Sequence, residues 1–383
     1  MRLSRPDCRA WLRSTRAVVV ALLLTGMAGT VPAQKVATRS ASQKPGAPGS
    51  VQGPGSSQVR SAKPSQSVLL PVSFQALAQA VANQDYSSVK LRRFRDEQGN
   101  VVAVREMLQV DADGTDSPRF AITFVGVEGE LPGSPVTSKW QQTYNRYGSL
   151  FHELGSFQVR DLAKVQQNYS LHEFGAVVRA GRSAKRIVVF PLATDKAVWV
   201  IDVDATTLVP LYAAEFDGQF RLLAEIETET FAESVQLPAA APTSSVPVVH
   251  ADFATAKAFL GDPRGLIEPI AANANDYSVQ RLETRDDPLN GQQRLIITYT
   301  DGVDQFLVVQ TPGVADSFAG LGTATAKSSR NPGGHTIARY RDPAMSVLLF
   351  WDDDVSFQVA GRGSLERLDD VAKSLYLQAI STH

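Results

Sequence analysis

Residues 209–231 read VPLYAAEFDGQFRLLAEIETETF, and this stretch decides the fold. Asp217-Gly218 reads as a tight hairpin turn between two strand-like runs, 209–216 and 220–231. In the second run Glu225, Glu227 and Glu229 alternate with Ala224, Ile226 and Thr228. That period of two leaves one face of a strand wet and packs the other, as an antiparallel sheet allows. Upstream, strands are expected at about 169–179, 185–190 and 196–203, and at Phe120–Val125. Leu91–Arg95 and Val101–Val110 flank Asp96-Glu97-Gln98-Gly99-Asn100, a cluster of turn formers, and read as another hairpin.

Downstream, a helix is expected near 251–260. Strands follow at about 277–284, 293–300, 303–310, 335–341, 345–351 and 355–360, with Asp301-Gly302 closing a hairpin. The chain ends in an amphipathic helix capped by Ser364, with Leu365, Leu368, Val371, Ala372, Leu375 and Ala379 on one stripe. Runs of strands with few helices, and no strict βαβ alternation, make the class α+β.

Residues 34–67 are rich in Ser, Gly, Pro, Gln and Lys and poor in aliphatics. Such a segment cannot bury enough apolar surface to offset its chain entropy, so a disordered tether is expected. A second Pro/Ala/Ser-rich break falls at 236–248 (QLPAAAPTSSVPV). The two breaks divide the chain into an expected domain at 68–235 and another at 249–383.

Residues 1–33 have the pattern of a secretory signal peptide. Arg2, Arg5, Arg9, Arg13 and Arg16 form a basic region, Ala17–Leu24 an apolar one, and Val31-Pro32-Ala33 a small-residue site for cleavage before Gln34. The apolar run is shorter than the roughly 20 residues of a membrane span. An exported chain with no transmembrane segment after cleavage is expected. The one cysteine, Cys8, precedes the apolar run, so after cleavage neither disulfides nor thiolate metal sites are available. The leader holds five arginines and one acid, Asp7, of the chain's 38 basic and 39 acidic residues. The remainder is therefore acidic on balance, which argues against nucleic acid as a partner.

No catalytic constellation is recognisable. His152-Glu153 and His172-Glu173 lack a second histidine four residues on, so they are not zinc-protease motifs and read as exposed pairs at element ends. Asp352-Asp353-Asp354 lacks the glycine and closing glutamate of a calcium loop and reads as a turn. Gly320-Leu321-Gly322 and Gly361-Arg362-Gly363 lack the third glycine and the parallel βαβ setting of a dinucleotide site, and no cofactor is expected. No Gly-x-Ser-x-Gly elbow is present. A hydrolase built on scattered carboxylates leaves no linear signature and stands as one alternative.

Ser134-Pro135 starts a helix, with serine as the cap and proline at its first position. Val136, Trp140, Tyr144, Tyr147 and Phe151 follow at spacings of 4, 4, 3 and 4, an aromatic face. One reading packs this face directly on the sheet. The other has the helix cover the open side of a curved sheet and enclose an apolar cavity for an acyl chain. On that second reading the ligand-binding residues are Trp140, Tyr144, Tyr147 and Phe151, facing Phe120, Phe124, Phe190, Trp199 and Phe216.

Residues 169–191 (YSLHEFGAVVRAGRSAKRIVVFP), Ala197–Asp204 and Leu208–Leu211 together resemble the central part of the MucB/RseB-type periplasmic regulators. The shared features are Ala180-Gly181-Arg182, the strand ending in proline, and the apolar strand ending in aspartate. Tyr299-Thr300-Asp301-Gly302 followed by Phe306–Val309 is similar to a hairpin of that family's smaller domain. The resemblance implies a fold: a LolA/LolB-like antiparallel half-barrel capped by helices, then a smaller α+β domain. It implies a periplasmic, non-enzymatic role, binding a membrane-bound anti-sigma factor through its periplasmic part, with lipid as the signal. Delivery of a lipoprotein, as by a carrier, is the alternative that the same fold implies. The long tether is not a feature of the family.

Overall fold

The computed structural model describes residues 71–95, 101–112, 119–193, 196–234, 248–269, 277–286, 291–313, 327–330, 336–342, 345–352, 355–362 and 368. The leader, the tether, most of the 236–248 break, the Asp96–Asn100 turn, Gly320–Gly322 and the terminal helix apart from Leu368 lie outside them. So do Asp353, Asp354 and the side chain of Tyr147.

The class is α+β, with two antiparallel sheets. The first holds β1 (Tyr86–Arg95), β2 (Val101–Asp111), β3 (Arg119–Val127), β4 (Tyr169–Arg179), β5 (Arg182–Pro191), β6 (Val198–Asp204), β7 (Pro210–Phe216) and β8 (Leu222–Ala232). Their order is β3-β2-β1-β8-β7-β6-β5-β4, so the two meanders join where β1 pairs with β8 and the sheet does not close into a barrel. Three helices accompany it: α1 (Phe74–Asn83), α2 (Pro135–Gly155) and α3 (Leu162–Asn168). Each begins on a side chain that accepts a backbone N–H: Ser73 from Ala76, Ser134 from Thr137, Asp161 from Lys164. Pro135 starts α2 as expected, because the first turn has no use for its missing N–H.

The second sheet runs β13 (Lys327–Arg330), β14 (Thr336–Asp342), β15 (Met345–Asp352), β16 (Val355–Gly361), β12 (Gln305–Pro312), β11 (Gln293–Thr300), β10 (Ser278–Asp286), β9 (Val248–His250). One face carries Leu295, Ile297, Tyr299, Val308, Leu348, Phe357 and Val359 and packs on Ala256 of α4 (Phe253–Phe259), Ile267, Tyr277 and Leu368. The opposite face carries Ile296, Leu307, Val309, Val347, Leu349 and Ala360. These pack on α2 and on Phe94, Val104, Phe124 and Val127 of the first sheet. Helix α2 is therefore a middle layer with a sheet on either side, and the described residues form one compact unit.

The β11–β12 hairpin joins the two halves at a second place. Its Gly302 carbonyl accepts from the Arg160 backbone N–H at 2.8 Å. The Asp301 carbonyl accepts from Asn168 Nδ2, and its carboxylate takes the Tyr169 hydroxyl and Lys196 Nζ at 2.8 and 3.1 Å. Val303 enters the core around Val165, Ile187 and Trp199.

The turns refine the expectation. Ala180-Gly181 links β4 to β5 with φ of 50° and 72°, the two positive values that a primed hairpin turn demands. Asp217-Gly218 is not a two-residue turn. The connection runs from Asp217 to Arg221, with Phe220 at φ 60°, because the Asp217 carboxylate gathers the N–H groups of Gln219 and Arg221.

Candidate functional site

The alternation along β1 turns Tyr86, Ser88, Lys90, Arg92 and Phe94 inward, and along β2 turns Val104, Glu106, Leu108 and Val110 inward. Three of these nine positions are charged. Arg92 meets Glu106 through two hydrogen bonds, and Tyr144 of α2 donates its hydroxyl to the same carboxylate at 2.8 Å. Burial pushes the Glu106 carboxyl up. Arg92 and Tyr144 outweigh it and hold the group below its ordinary value.

Lys90 stands directly across from Glu106 on β2 and from Thr228 on β8. It is 7% exposed and makes no hydrogen bond or ion pair among the described residues. Its ammonium lies 5.7 Å from the centre of the Tyr86 ring. Burial lowers its pKa to about 8 although Glu106 pulls the other way. Thr228 Oγ1 is likewise buried with no hydrogen-bond partner among the described residues.

Beside Lys90 lies a cavity of about 870 Å³. Its floor is the first sheet, through Val110, Phe120, Leu211, Ala213, Ile226 and Thr228. Helix α1 walls it with Ala78 and Ala82, and the second sheet with Gln280, Arg281, Gln305 and Leu307. The last turn of α2 contributes His152 and Glu153. This volume is within the range that small ligands occupy.

The basic groups of the cavity are Lys90, His152, Arg160 and Arg281, against Glu153 alone. His152 is buried, with Nδ1 3.1 Å from Ser156 Oγ and its ring 4.6 Å from that of Phe120. Burial, and then Lys90, Arg92 and Arg160, hold its pKa well below 6.5. Arg160 spends its guanidinium on the carbonyls of Val303 and Glu153. Arg281 pairs with Glu283 at 3.0 Å.

Of the nine aromatic residues expected to bind ligand, Phe120 lines the cavity. Trp140, Tyr144, Phe151 and Phe124 fill their own space instead. Trp140 stacks on Phe94 at 5.8 Å, Tyr144 meets Phe124 at 5.6 Å and Phe151 at 5.3 Å, and the second sheet covers them. Trp199 packs edge-on against Phe157 in the core beneath α1 and α3. Phe190 and Phe216 are buried on the sheet face opposite Trp199, since the register sets Val189 and Glu215 beside that tryptophan. The side chain of Tyr147 is outside the described residues.

The His-Glu pairs also differ from expectation. His172 is exposed but sits within β4, while His152 is buried because the α2 face that it shares looks into the cavity wall. Among the described residues no group of three His, Cys, Asp or Glu could hold a metal ion, and no helix is long and apolar enough to cross a membrane.

No family model and no curated protein matches this chain. Among solved structures it is similar to the crystal structure of MucB, at 15% identity and a TM-score of 0.43, over 79% of this chain and 95% of that one. It is similar also to the Pseudomonas aeruginosa MucA/MucB complex structure, at 15% identity and a TM-score of 0.38, over 78% and 95% of the two chains. A DUF1329 family protein from Desulfovibrio piger matches at 13% identity and a TM-score of 0.22, over 43% of this chain and 93% of that one.

Proposed function

We propose that this chain is an exported, non-enzymatic binding and sensing protein of the periplasm. Its cavity takes an apolar or amphiphilic ligand, and the protein regulates a membrane-bound anti-sigma factor by holding that factor's periplasmic segment. The observation that carries the ligand half is the cavity of about 870 Å³, walled by side chains of both sheets. The partner half rests on the likeness of residues 169–191, 197–204, 208–211, 299–302 and 306–309 to the MucB/RseB-type regulators.

The two halves of the proposal meet in the cavity wall. A ligand there touches Gln305 and Leu307 of the second sheet as well as Ile226 and Leu211 of the first. Gln305 Nε2 also donates to the Glu153 carbonyl at 2.8 Å, so the wall is part of the contact between α2 and the second sheet. Occupancy therefore changes the free energy of that contact, which is what a sensor requires.

A fluorescent fatty acid titrated against the purified protein tests the ligand half. Saturable binding is expected, reduced at least ten-fold by Ile226→Trp, which fills the cavity. Absence of saturable binding overturns it. For the partner half, the periplasmic segment of an anti-sigma factor encoded beside this gene is expected to bind the protein and to be released by the fatty acid. Indifference of that complex to the fatty acid overturns the regulatory link.

A further inference from the structure

We infer that the cavity has a seat for a carboxylate, formed by Lys90 and Thr228 beside His152, and that its ligand is a single-chain amphiphilic acid. This deepens the proposal that the cavity takes an amphiphile, and rests on it.

Inward-facing charge on β1 and β2 does not balance. Arg92 and Glu106 satisfy each other. Lys90 is a second cation with no anion of its own among the described residues. The groups around it are Tyr86 and Arg92 on β1, Glu106 on β2, Thr228 on β8 and His152 on α2. Of these only Glu106 is an acid, and its oxygens are already taken by Arg92 and Tyr144. A buried cation without a counter-charge is costly, and an arriving anion removes that cost.

Thr228 gives an independent sign. Its hydroxyl, opposite Lys90 in the register, is buried and has no partner among the described residues. Buried hydroxyls rarely go unbonded, and one that lines a cavity beside an unpaired ammonium can donate to the same guest. His152 is held neutral and offers a further donor or acceptor without a competing charge.

The rest of the cavity suits a chain. Val110, Phe120, Phe157, Leu211, Ala213 and Ile226 supply the apolar wall. The volume fits one acyl chain with a small headgroup better than a lipid of several chains.

The test is calorimetric titration of the full-length protein with dodecanoate, dodecanol and acetate. Dodecanoate is expected to bind about ten-fold more tightly than dodecanol, and acetate not detectably, since a charge-assisted hydrogen bond is stronger than a neutral one. Lys90→Met should erase the preference for the acid and leave dodecanol unaffected. Lys90→Arg, which keeps the charge, should retain the preference. A thermal melt of Lys90→Met checks folding, and no loss of stability is expected because the cost of burying the ammonium exceeds what its attraction to Glu106 returns. Equal affinity for acid and alcohol overturns the carboxylate seat while leaving the amphiphile reading intact. Failure of both to bind overturns that reading as well. Tight binding of acetate would make the site one for small anions and overturn the assignment of a chain.

Discussion

Arg92 and Glu106, on neighbouring strands, form a two-pronged ion pair out of reach of water, with Nε to Oε2 at 3.1 Å and Nη2 to Oε1 at 2.7 Å. Gly155, at the end of α2, lies against this guanidinium, and a methyl group there would come within 2.5 Å of Nη1. The pair fixes where the helix can rest.

Glu106→Ala should therefore cost about 3–5 kcal/mol, the usual penalty for leaving half of a buried ion pair behind. Arg92→Met combined with Glu106→Leu should recover most of it. Urea unfolding of the three variants measures the difference. The Glu106 carboxyl titrates below its ordinary value in the folded protein. Its contribution is thus present above the unfolded pKa of about 4.3 and is lost as pH falls below it.

His152 imposes a separate pH dependence at higher pH. The folded protein holds it neutral well below 6.5, while the unfolded chain takes up a proton near 6.5. The unfolded state binds more protons, so stability falls with pH below about 6.5, by up to about 1.4 kcal/mol per unit. Because the buried Asp304 and Glu153 carboxyls are raised by burial and act in the opposite direction, the His152 contribution is read as a difference: the melting temperature of His152→Phe relative to the wild type should rise as pH falls from 7.5 to 5. Ring signals of His152 that titrate near 6.5 by NMR would contradict the assignment.

Gly302→Ala should loosen the joint between the halves. The residue has φ of 112°, which disfavours a side chain, and a methyl group there would sit 2.7 Å from the Val165 Cα. A loss of at least about 2 kcal/mol is expected in urea unfolding. Gly291→Ala, also at positive φ but facing open space, should cost less.

Trp140 and Phe120 should separate packing from binding. Trp140 is buried between the sheets, so Trp140→Ala should cost about 3–5 kcal/mol. It should change fatty-acid affinity less than three-fold, because the residue does not line the cavity. Phe120→Ala should do the reverse, weakening the fatty acid several-fold with a smaller loss of stability. Stability and affinity measured on both variants decide it.

Much of the fold was legible because local signals agreed with one another. Ser134-Pro135 and the aromatic spacing located α2, and the period of two in 222–232 located β8. Helix α1 has its cap in Ser73 and its buried face in Phe74 and Leu77, but a serine cap that follows a Ser-rich tether does not stand out in the sequence. The site was legible only in part. Lys90 and Arg92 stand among Lys90, Arg92, Arg93 and Arg95, a cluster that reads as a wet strand, and alternation says which residues share a face without saying which face is inside. The aromatic stripe was read against one sheet. The second sheet covers it, and packing of α2 with residues near 300–350 leaves no mark on local periodicity.

The pairing of β1 with β8 sets a timetable for folding. Val89 and Thr230, joined by a hydrogen bond in that pairing, are 141 positions apart. The β1–β3 meander emerges from the ribosome early but must wait with a bare edge until residue 232 has been made. Closing so long a loop is slow, and an edge that waits invites the wrong neighbour. A chain of this topology has reason to remain unfolded, or in the care of a chaperone, until its last sheet strand arrives.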